Sequence, residues 1–580
     1  MKWIGFDFET SSPNKYACDI DCCGIVVMHD FRVVTRKFIE NKNPNSFQKA
    51  IQKMFDTHDG TPVCHNASFD LHLLKRIGVS LKRPCHDTLL MASHWRNDLP
   101  SFSLKNLAWV LLEDVHPPLT KILPYAKKGD GATDFYITDA PLHLKKDYCL
   151  YDAYLTALLA ENLYPLVEDI EAYQMDIRLL PHLLSTEEHG VMVDIPLLES
   201  LEAVLKQDVK QHLAFLRKKF GLDESASPMG TALQKYLASS RYKLSTTKTS
   251  KITTAAKHLE QYKKDPVIYA VLEVKRKQKI LSTFVENFLQ AARGNGKFHP
   301  GFRQSAAITR RFTCSSLYSD DGTITKGQTQ NIPRDKEIRS VIIVPEGFKL
   351  LKLDLASIEA RLASHAMAVL LDFDFYAKKY RECKNFNLYM FVIETHTPHG
   401  KVDKTSPIYQ AYKQAVLGIL YGIGESTFAN SLIENHRLPY SYEEGVAIYR
   451  SVLRECPEFR ELQRAFTSIN RNQGYIVDDF GAVYFLPIEE EYKGVNYYCQ
   501  GCAGNILKWW WLAIADLIQK NQAKDYIFNT VHDELDMAVF LDESAKQRAS
   551  AYENVLSRLD RFSLPIIAEA SELVDNWGQA

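Results

Sequence analysis

The chain has 580 residues, with 70 Lys+Arg against 71 Asp+Glu, a net charge of −1, 46% hydrophobic and 24% charged residues. That length makes room for roughly four compact units, and the composition excludes a disordered chain, a collagen and a small disulfide scaffold. A neutral total also argues at first against a nucleic-acid partner, but residues 211–340 hold 24 basic and 10 acidic side chains, a local excess suited to a polyanion.

The opening MKWIGFDFET lacks a basic stretch followed by an apolar run, so no secretory signal is read. Ile4, Phe6 and Phe8 alternate with Gly5, Asp7 and Glu9, which predicts a strand with one buried face and two carboxylates side by side on the other. A divalent cation relieves the repulsion of such a pair; a solvent-facing polar edge is the plainer reading. Further on, Asn66 and Asp70 stand four apart at a helix start, where Asn66 also reads as an N-cap. Tyr148 and Asp152 share one helix face. The first 160 residues alternate strand and helix signals, as an α/β unit does.

Together, D-x-E at 7–9, N-x-x-F-D at 66–70 and Y-x-x-x-D at 148–152 resemble the tyrosine branch of the DEDD superfamily of 3′–5′ exonucleases, as do Asp87-Thr88 and Leu104 with Leu107-Ala108. The resemblance implies that Asp7, Glu9, Asp70 and Asp152 hold two metal ions, Mg²⁺ or Mn²⁺, and that Tyr148 orients the attacking water.

Residues 161–220 and 255–292 read as long helices around a polar, basic loop, and 300–345 as short strands rich in Gly, Ser, Thr and Asn. The run F-K-L-L-K-L-D predicts a strand ending at Asp354, followed by a helix with Glu359 and Arg361. Ser406 and Pro407 open a helix on which Tyr409, Lys413, Leu417 and Tyr421 recur every four residues. A cation on an apolar stripe suits a nucleoside triphosphate; read alone, it is also an ordinary core stripe with one solvated lysine. The apolar run ILKWWWLAIADLI is interrupted by Lys508 and Asp516, so a buried helix is expected there and no membrane span. Two apolar runs around His532-Asp533-Glu534 predict a hairpin with acids at its bend. The eleven cysteines show no paired framework, and the C-x-x-C from Cys499 to Cys502 has no second pair. Reduced thiols and a cytoplasmic location are therefore expected, in the host cytoplasm if the gene is viral.

In order and spacing, the segments at Asp354, Lys413 and His532-Asp533-Glu534 resemble motifs A, B and C of family A DNA polymerases. T-R-R-F-T with Q-N-I-P-R at 309–334 resembles the template-primer segment, N-Y-Y-C-Q-G at 496–501 a conserved helix, and S-T-T-K-T at 245–249 with K-R-K-Q-K-I-L-S-T-F at 275–284 the thumb. The resemblance implies a multidomain fold that is α/β and α+β: a ribonuclease H-like exonuclease over 1–165, then a right-hand polymerase over 166–580. The thumb would span about 196–300, the palm about 301–370 and 490–580, and the fingers about 371–489.

It further implies two Mg²⁺ on Asp354, the Leu355 carbonyl and Asp533, with Glu534 an accessory carboxylate. Lys413 would neutralise pyrophosphate, Tyr421 would pack near the templating base, and Glu359 would block a 2′-hydroxyl. DNA would be met by Arg311, Gln330, Asn331, Asn496, Gln500 and His532, and in the thumb by Lys275, Arg276 and Lys279. Several positions depart from the family pattern. Tyr409 stands where most members have an arginine on the triphosphate, Leu417 where many have Phe or Tyr, Arg310 where glycine is usual, and Asn387-Leu388-Tyr389 where D-x-H is common. Leu417 resembles certain bacteriophage members. With the short length and no 5′-nuclease segment ahead of the exonuclease, a phage replicative enzyme is expected.

The predicted partners are primed DNA and dNTPs for a monomer, with helicase, primase and single-strand binding protein left open. The competing readings are a standalone 3′–5′ nuclease whose C-terminal part grips substrate, a non-catalytic DNA-binding scaffold and a single-subunit RNA polymerase.

Overall fold

The computed structural model describes residues 1–128, 135–137, 139–238, 242, 253–333, 335–396, 402–434, 436 and 438–580. The S-T-T-K-T segment at 245–249 lies outside them.

The N-terminal unit is built on a five-stranded sheet in the order β3-β2-β1-β4-β5, from β1 (Lys2–Thr10), β2 (Ile20–His29), β3 (Arg32–Glu40), β4 (Thr61–Cys64) and β5 (His86–Asp87). β2 runs antiparallel to β1 and β3; β4 runs parallel to β1 and β5. Trp3, Ile4, Phe6 and Phe8 are buried. The opposite face of β1 is covered at Gly5, while Asp7 and Glu9 stay partly exposed. The Leu142–Leu163 helix lies directly on it, and two glycines make that approach possible. A Cβ on Gly5 would come within 2.4 Å of the Ala153 carbonyl oxygen, and one on Gly24 within 2.6 Å of the Cys149 carbonyl oxygen. Close packing of this helix carries Tyr148 and Asp152 up to Asp7 and Glu9. A short ribbon, β6 (Lys127–Lys128) and β7 (Phe135–Tyr136), lies between sheet and helix in sequence.

The stretch read as one helix over 161–220 is divided. Helix Glu171–His189 stops at Gly190, whose φ is +67°, and β8 (Val191–Val193) precedes helix Ile195–Phe220. The run Val191-Met192-Val193 has strand partners on both sides, which overrides its local helical context. β8 joins β9 (Lys297–Arg303), β10 (Thr313–Tyr318), β11 (Ile324–Lys326) and β12 (Ile342–Ile343) in a sheet ordered β11-β10-β9-β8-β12. Helices Ile195–Phe220 and Pro266–Ile280 pair along their length, and their far ends enclose a small separate core of Leu216, Leu233, Leu237, Val267 and Val271.

The C-terminal half is organised by an antiparallel four-stranded sheet in the order β16-β17-β13-β18. It comprises β13 (Phe348–Leu355), β16 (Tyr526–Val531), β17 (Glu534–Phe540) and β18 (Ala568–Ala570). Helices between 358 and 473, among them Ile358–Leu370, Leu388–His396 and Pro407–Leu420, rise beside it, followed by the hairpin β14 (Tyr475–Val477) and β15 (Val483–Phe485). The 27-residue helix Gly494–Lys520 buries Trp510 and Trp511 and no described helix is long and apolar enough to cross a membrane.

Candidate active sites

Asp7 and Glu9 are half-buried on β1. Asp70, Tyr148 and Asp152 are 5%, 5% and 3% exposed. All five line one cavity of about 310 Å³ together with His65, Asn66 and Lys15. Carboxylates held this close, away from water, resist ionising together. Burial, then Asp152, pushes Asp7 up to about 8. Burial, then Asp7, holds both Glu9 and Asp70 well above the usual carboxylate range. The Cys149 sulfur and one oxygen each of Asp7 and Glu9 lie within 4.8 Å of one another. A set of hard oxygen donors whose carboxylates resist ionising together fits a divalent cation.

Asp152 differs from its neighbours. One of its oxygens is bonded by Lys105 Nζ and the other by His116 Nε2. Burial opposes the charge, but Lys105 and His116 outweigh it and hold Asp152 below its ordinary value. Lys105 also lies 4.7 Å from the centre of the Tyr148 ring. Neither Lys105 nor His116 was singled out from the sequence. Lys105 sits inside the Leu104 to Ala108 segment already marked by resemblance; nothing local marks His116.

Asn66 is not a side-chain cap. Its φ is +65° and its side chain makes no capping bond. Asp87 does that work instead: its carboxylate accepts from the backbone N–H groups of Asn66 (2.9 Å), Ala67 (2.8 Å) and Leu89 (2.8 Å). It thereby joins the start of the Asp70 helix to the start of helix Thr88–Trp95.

The same cavity is also lined from beyond the exonuclease unit, by Glu187, Phe302, Arg303, Ser316 and Tyr318. Glu187 is fully buried, bonded by Lys15, Ser68 and the Phe302 N–H at 2.9 Å, with His72 Nε2 at 3.3 Å.

The second carboxylate set lies on the four-stranded sheet. Asp354 on β13 is registered opposite Glu534 on β17 and Glu569 on β18, so three acids stand in a row across three strands. The bend at His532-Asp533 brings a fourth acid to the row. The Leu355 N–H donates to the Asp533 carbonyl at 3.1 Å and pins that bend to the end of β13. Burial, then Glu534, pushes Asp354 up to about 6, and Lys352 partly opposes the rise. Glu534 accepts from Trp577 Nε1 at 2.9 Å. Glu569 carries no sequence signal; only strand pairing places it here.

Around this row stand several predicted nucleotide and DNA contacts. Burial raises Glu359, with Arg311 opposing and Asp533 adding to the rise. Tyr421 is pushed well up by burial and by Glu359. Lys413 lies 5.7 Å from the centre of the Tyr389 ring, and Leu417 is half-buried. Asn496 and Gln500 are half-buried, four apart on the Gly494–Lys520 helix. Asn331 is exposed and bonded to Gln328. On the Pro266–Ile280 helix, Lys279 is exposed, Lys275 half-buried, and Arg276 paired with Asp335 at 2.7 Å.

Two of the predicted contacts are buried and bonded within the chain. Tyr409, expected on the nucleotide face, is 6% exposed and its hydroxyl accepts from Asn387 Nδ2 at 3.0 Å. Its large ring is more stable in the helix-bundle core than at a polyanion site. Gln330, expected on DNA, is 8% exposed. Its Nε2 donates to the Thr530 carbonyl at 2.7 Å and its Oε1 accepts from the His532 N–H at 2.8 Å. It therefore supports the bend, where His532 has a φ of +56°.

The DNA polymerase family A model matches residues 196–579, and a 3′–5′ exonuclease model matches residues 1–168. The chain belongs to DNA polymerase family A. It is a DNA polymerase with an N-terminal 3′–5′ exonuclease domain, and both families are divalent-metal dependent. The polymerase is 24% identical to DNA polymerase DpoZ of Salmonella phage PMBT28, over 89% of this chain and 88% of that one. It is 22% identical to DNA polymerase I of Pseudomonas aeruginosa over its whole length, which spans 63% of that relative. Its fold matches the POL domain of Pol1 from M. smegmatis, solved in complex with DNA primer-template and dNTP. The TM-score is 0.79 at 19% identity, covering 100% of this chain and 96% of that one.

Proposed function

We propose that the polymerase extends a primer 3′ end with dNTPs at the Asp354–Asp533 cluster and excises mispaired ends at the Asp7–Asp152 cluster, as a monomer serving phage DNA replication. What supports this is the separate carboxylate set in each half, with Asp7 in one and Asp354 in the other raised in pKa by burial and by a neighbouring carboxylate. Asp354, Asp533 and the Leu355 carbonyl would hold two Mg²⁺ in one site, and Asp7, Glu9, Asp70 and Asp152 two in the other, with Mn²⁺ able to substitute. Bound there, such ions supply Lewis acidity and an ionised oxygen nucleophile.

The chain's own groups do the remaining work. Glu534, held by Trp577, keeps a second carboxylate beside Asp354. Lys413 neutralises the departing pyrophosphate, and Leu417 with Tyr421 packs against sugar and base. Glu359 fills the space a 2′-hydroxyl needs and so selects dNTPs. Arg311, Asn496 and Gln500 read minor-groove acceptors that correct pairs share. His532 meets the primer terminus. In the exonuclease, Tyr148 orients the attacking water and Lys105 adds a fixed positive charge beside Asp152. The exonuclease covers about 1–165, with thumb, palm and fingers following at the limits given above.

The deciding assay is primer extension on a primed template with Mg²⁺ and dNTPs. Extension by the parent and its loss in Asp354→Ala are expected. Equal extension by both sinks the assignment.

A further inference from the structure

Two consecutive arginines leave one turn in opposite directions. Arg310 has a φ of +57°, a left-handed backbone that costs a non-glycine residue roughly 1 kcal/mol or more, and it is 2% exposed. Its Nη1 bonds His94 Nδ1. Its Nη2 donates to the carbonyls of Ser93 at 3.1 Å and Val483 at 3.0 Å, and its guanidinium lies 5.3 Å from the centre of the Tyr484 ring. Ser93 and His94 belong to the exonuclease helix Thr88–Trp95; Val483 and Tyr484 belong to β15 of the polymerase half. Arg311, the next residue, reaches Asp533.

The surroundings fix the protonation of this junction. Burial, then Arg310, pushes His94 down to about 3, so its ring is neutral. Nδ1 therefore accepts from Arg310 while Nε2–H donates to Asp176 at 2.8 Å. Asp176 in turn pairs with Lys508 at 2.7 Å and accepts from Gln304 at 3.2 Å. A buried guanidinium with this many fixed partners is either seated or withdrawn, with little between.

On the exonuclease side the connection continues. The Thr88–Trp95 helix is capped by Asp87, which also holds the Asn66–Ala67 turn that opens the Asp70 helix. A continuous run of bonds thus joins the Asp70 helix, through Asp87, helix Thr88–Trp95 and Arg310, to Arg311 and Asp533.

We infer that Arg310 is a positioning residue that couples the two sites: its seat in the exonuclease unit sets where Arg311 stands at Asp533, and so biases a primer end toward extension or excision. This rests on the reading of the chain as a proofreading polymerase.

The test uses the full chain. Arg310→Gly keeps the left-handed backbone and removes the side chain. Arg310→Lys keeps the charge and loses the fork. Parent and Asp354→Ala are assayed first, so that failure of the polymerase reading is seen by itself. In Arg310→Gly, kcat for addition to a matched end is expected to fall about tenfold, with KM for dNTP and excision of single-stranded DNA within about twofold. The excision-to-extension ratio at a matched end then rises about tenfold, and Arg310→Lys recovers less than about half of it. A ratio within about twofold of the parent overturns the inference. So does an equal fall in extension and single-strand excision accompanied by a lower melting temperature, the mark of a purely stabilising rivet.

Discussion

Arg311 Nη2 donates to both carboxylate oxygens of Asp533, at 2.9 and 3.2 Å. The oxygens proposed to bind metal are therefore occupied by a cation from the chain itself. A partly exposed ion pair of this kind contributes roughly 1 kcal/mol. Arg311→Ala is expected to lower the half-saturating Mg²⁺ for polymerisation about fivefold, while loss of the proposed minor-groove contact slows addition roughly 10²-fold. Extension rates across an Mg²⁺ titration measure both, and an unchanged Mg²⁺ midpoint refutes the competition.

Asp7→Asn should reduce excision of a mismatched 3′ end by roughly 10³-fold or more while synthesis is retained. Stability carries a second signature. The folded pKa of Asp7 is raised to about 8 from an ordinary 3.8. Its contribution is thus fully present below pH 3.8 and lost as pH rises toward 8. In chelator, the melting temperature of Asp7→Asn should overtake that of the parent across this window. Saturating Mg²⁺ should reverse the order, because a bound ion stabilises only the parent. Parallel melting curves at all pH values in chelator argue against the burial of this carboxylate.

Arg303 lines the exonuclease cavity from the polymerase half. A guanidinium in that position suits a phosphate of the frayed strand. Arg303→Ala is expected to raise KM for excision about tenfold, with extension from a matched primer unaltered. Steady-state excision kinetics on a mismatched primer provide the check.

Glu359→Ala should raise the ratio of ribonucleotide to deoxyribonucleotide incorporation, by roughly 10²-fold if steric exclusion of the 2′-hydroxyl is its main task. Single-turnover addition of each nucleotide gives the ratio directly.

Affinity for primed DNA should fall roughly 10²-fold or more between about 50 and 200 mM salt. The slope follows the phosphates neutralised by the basic 211–340 block, whatever the net charge of −1. Filter binding at several salt concentrations measures it.

Sequence alone located the chemistry that depends on local order. Alternation along β1 set Asp7 and Glu9 side by side, four-residue spacing set Asp70 with Asn66 and Tyr148 with Asp152, and strand signals placed Asp354 and Asp533 at strand ends; the combined resemblance to two families is what made them candidate ligands. Those spacings are properties of neighbours in the chain, and the period of a strand or helix exposes them. The charge partition behind the neutral total was equally legible.

Tertiary structure decided everything that depends on residues far apart. Glu569 joins Asp354 because β18 pairs with β13, and Lys105 and His116 reach Asp152 from separate segments. Tyr409 and Gln330 are both buried, and their polar atoms bond Asn387, Thr530 and His532, partners that no local pattern shows. Arg310 is the sharpest case. In sequence it is a departure from glycine beside an arginine expected to meet DNA; in the fold it bonds both the exonuclease helix Thr88–Trp95 and β15. A side chain's partners are set by which surfaces exclude water together, and no local pattern encodes that.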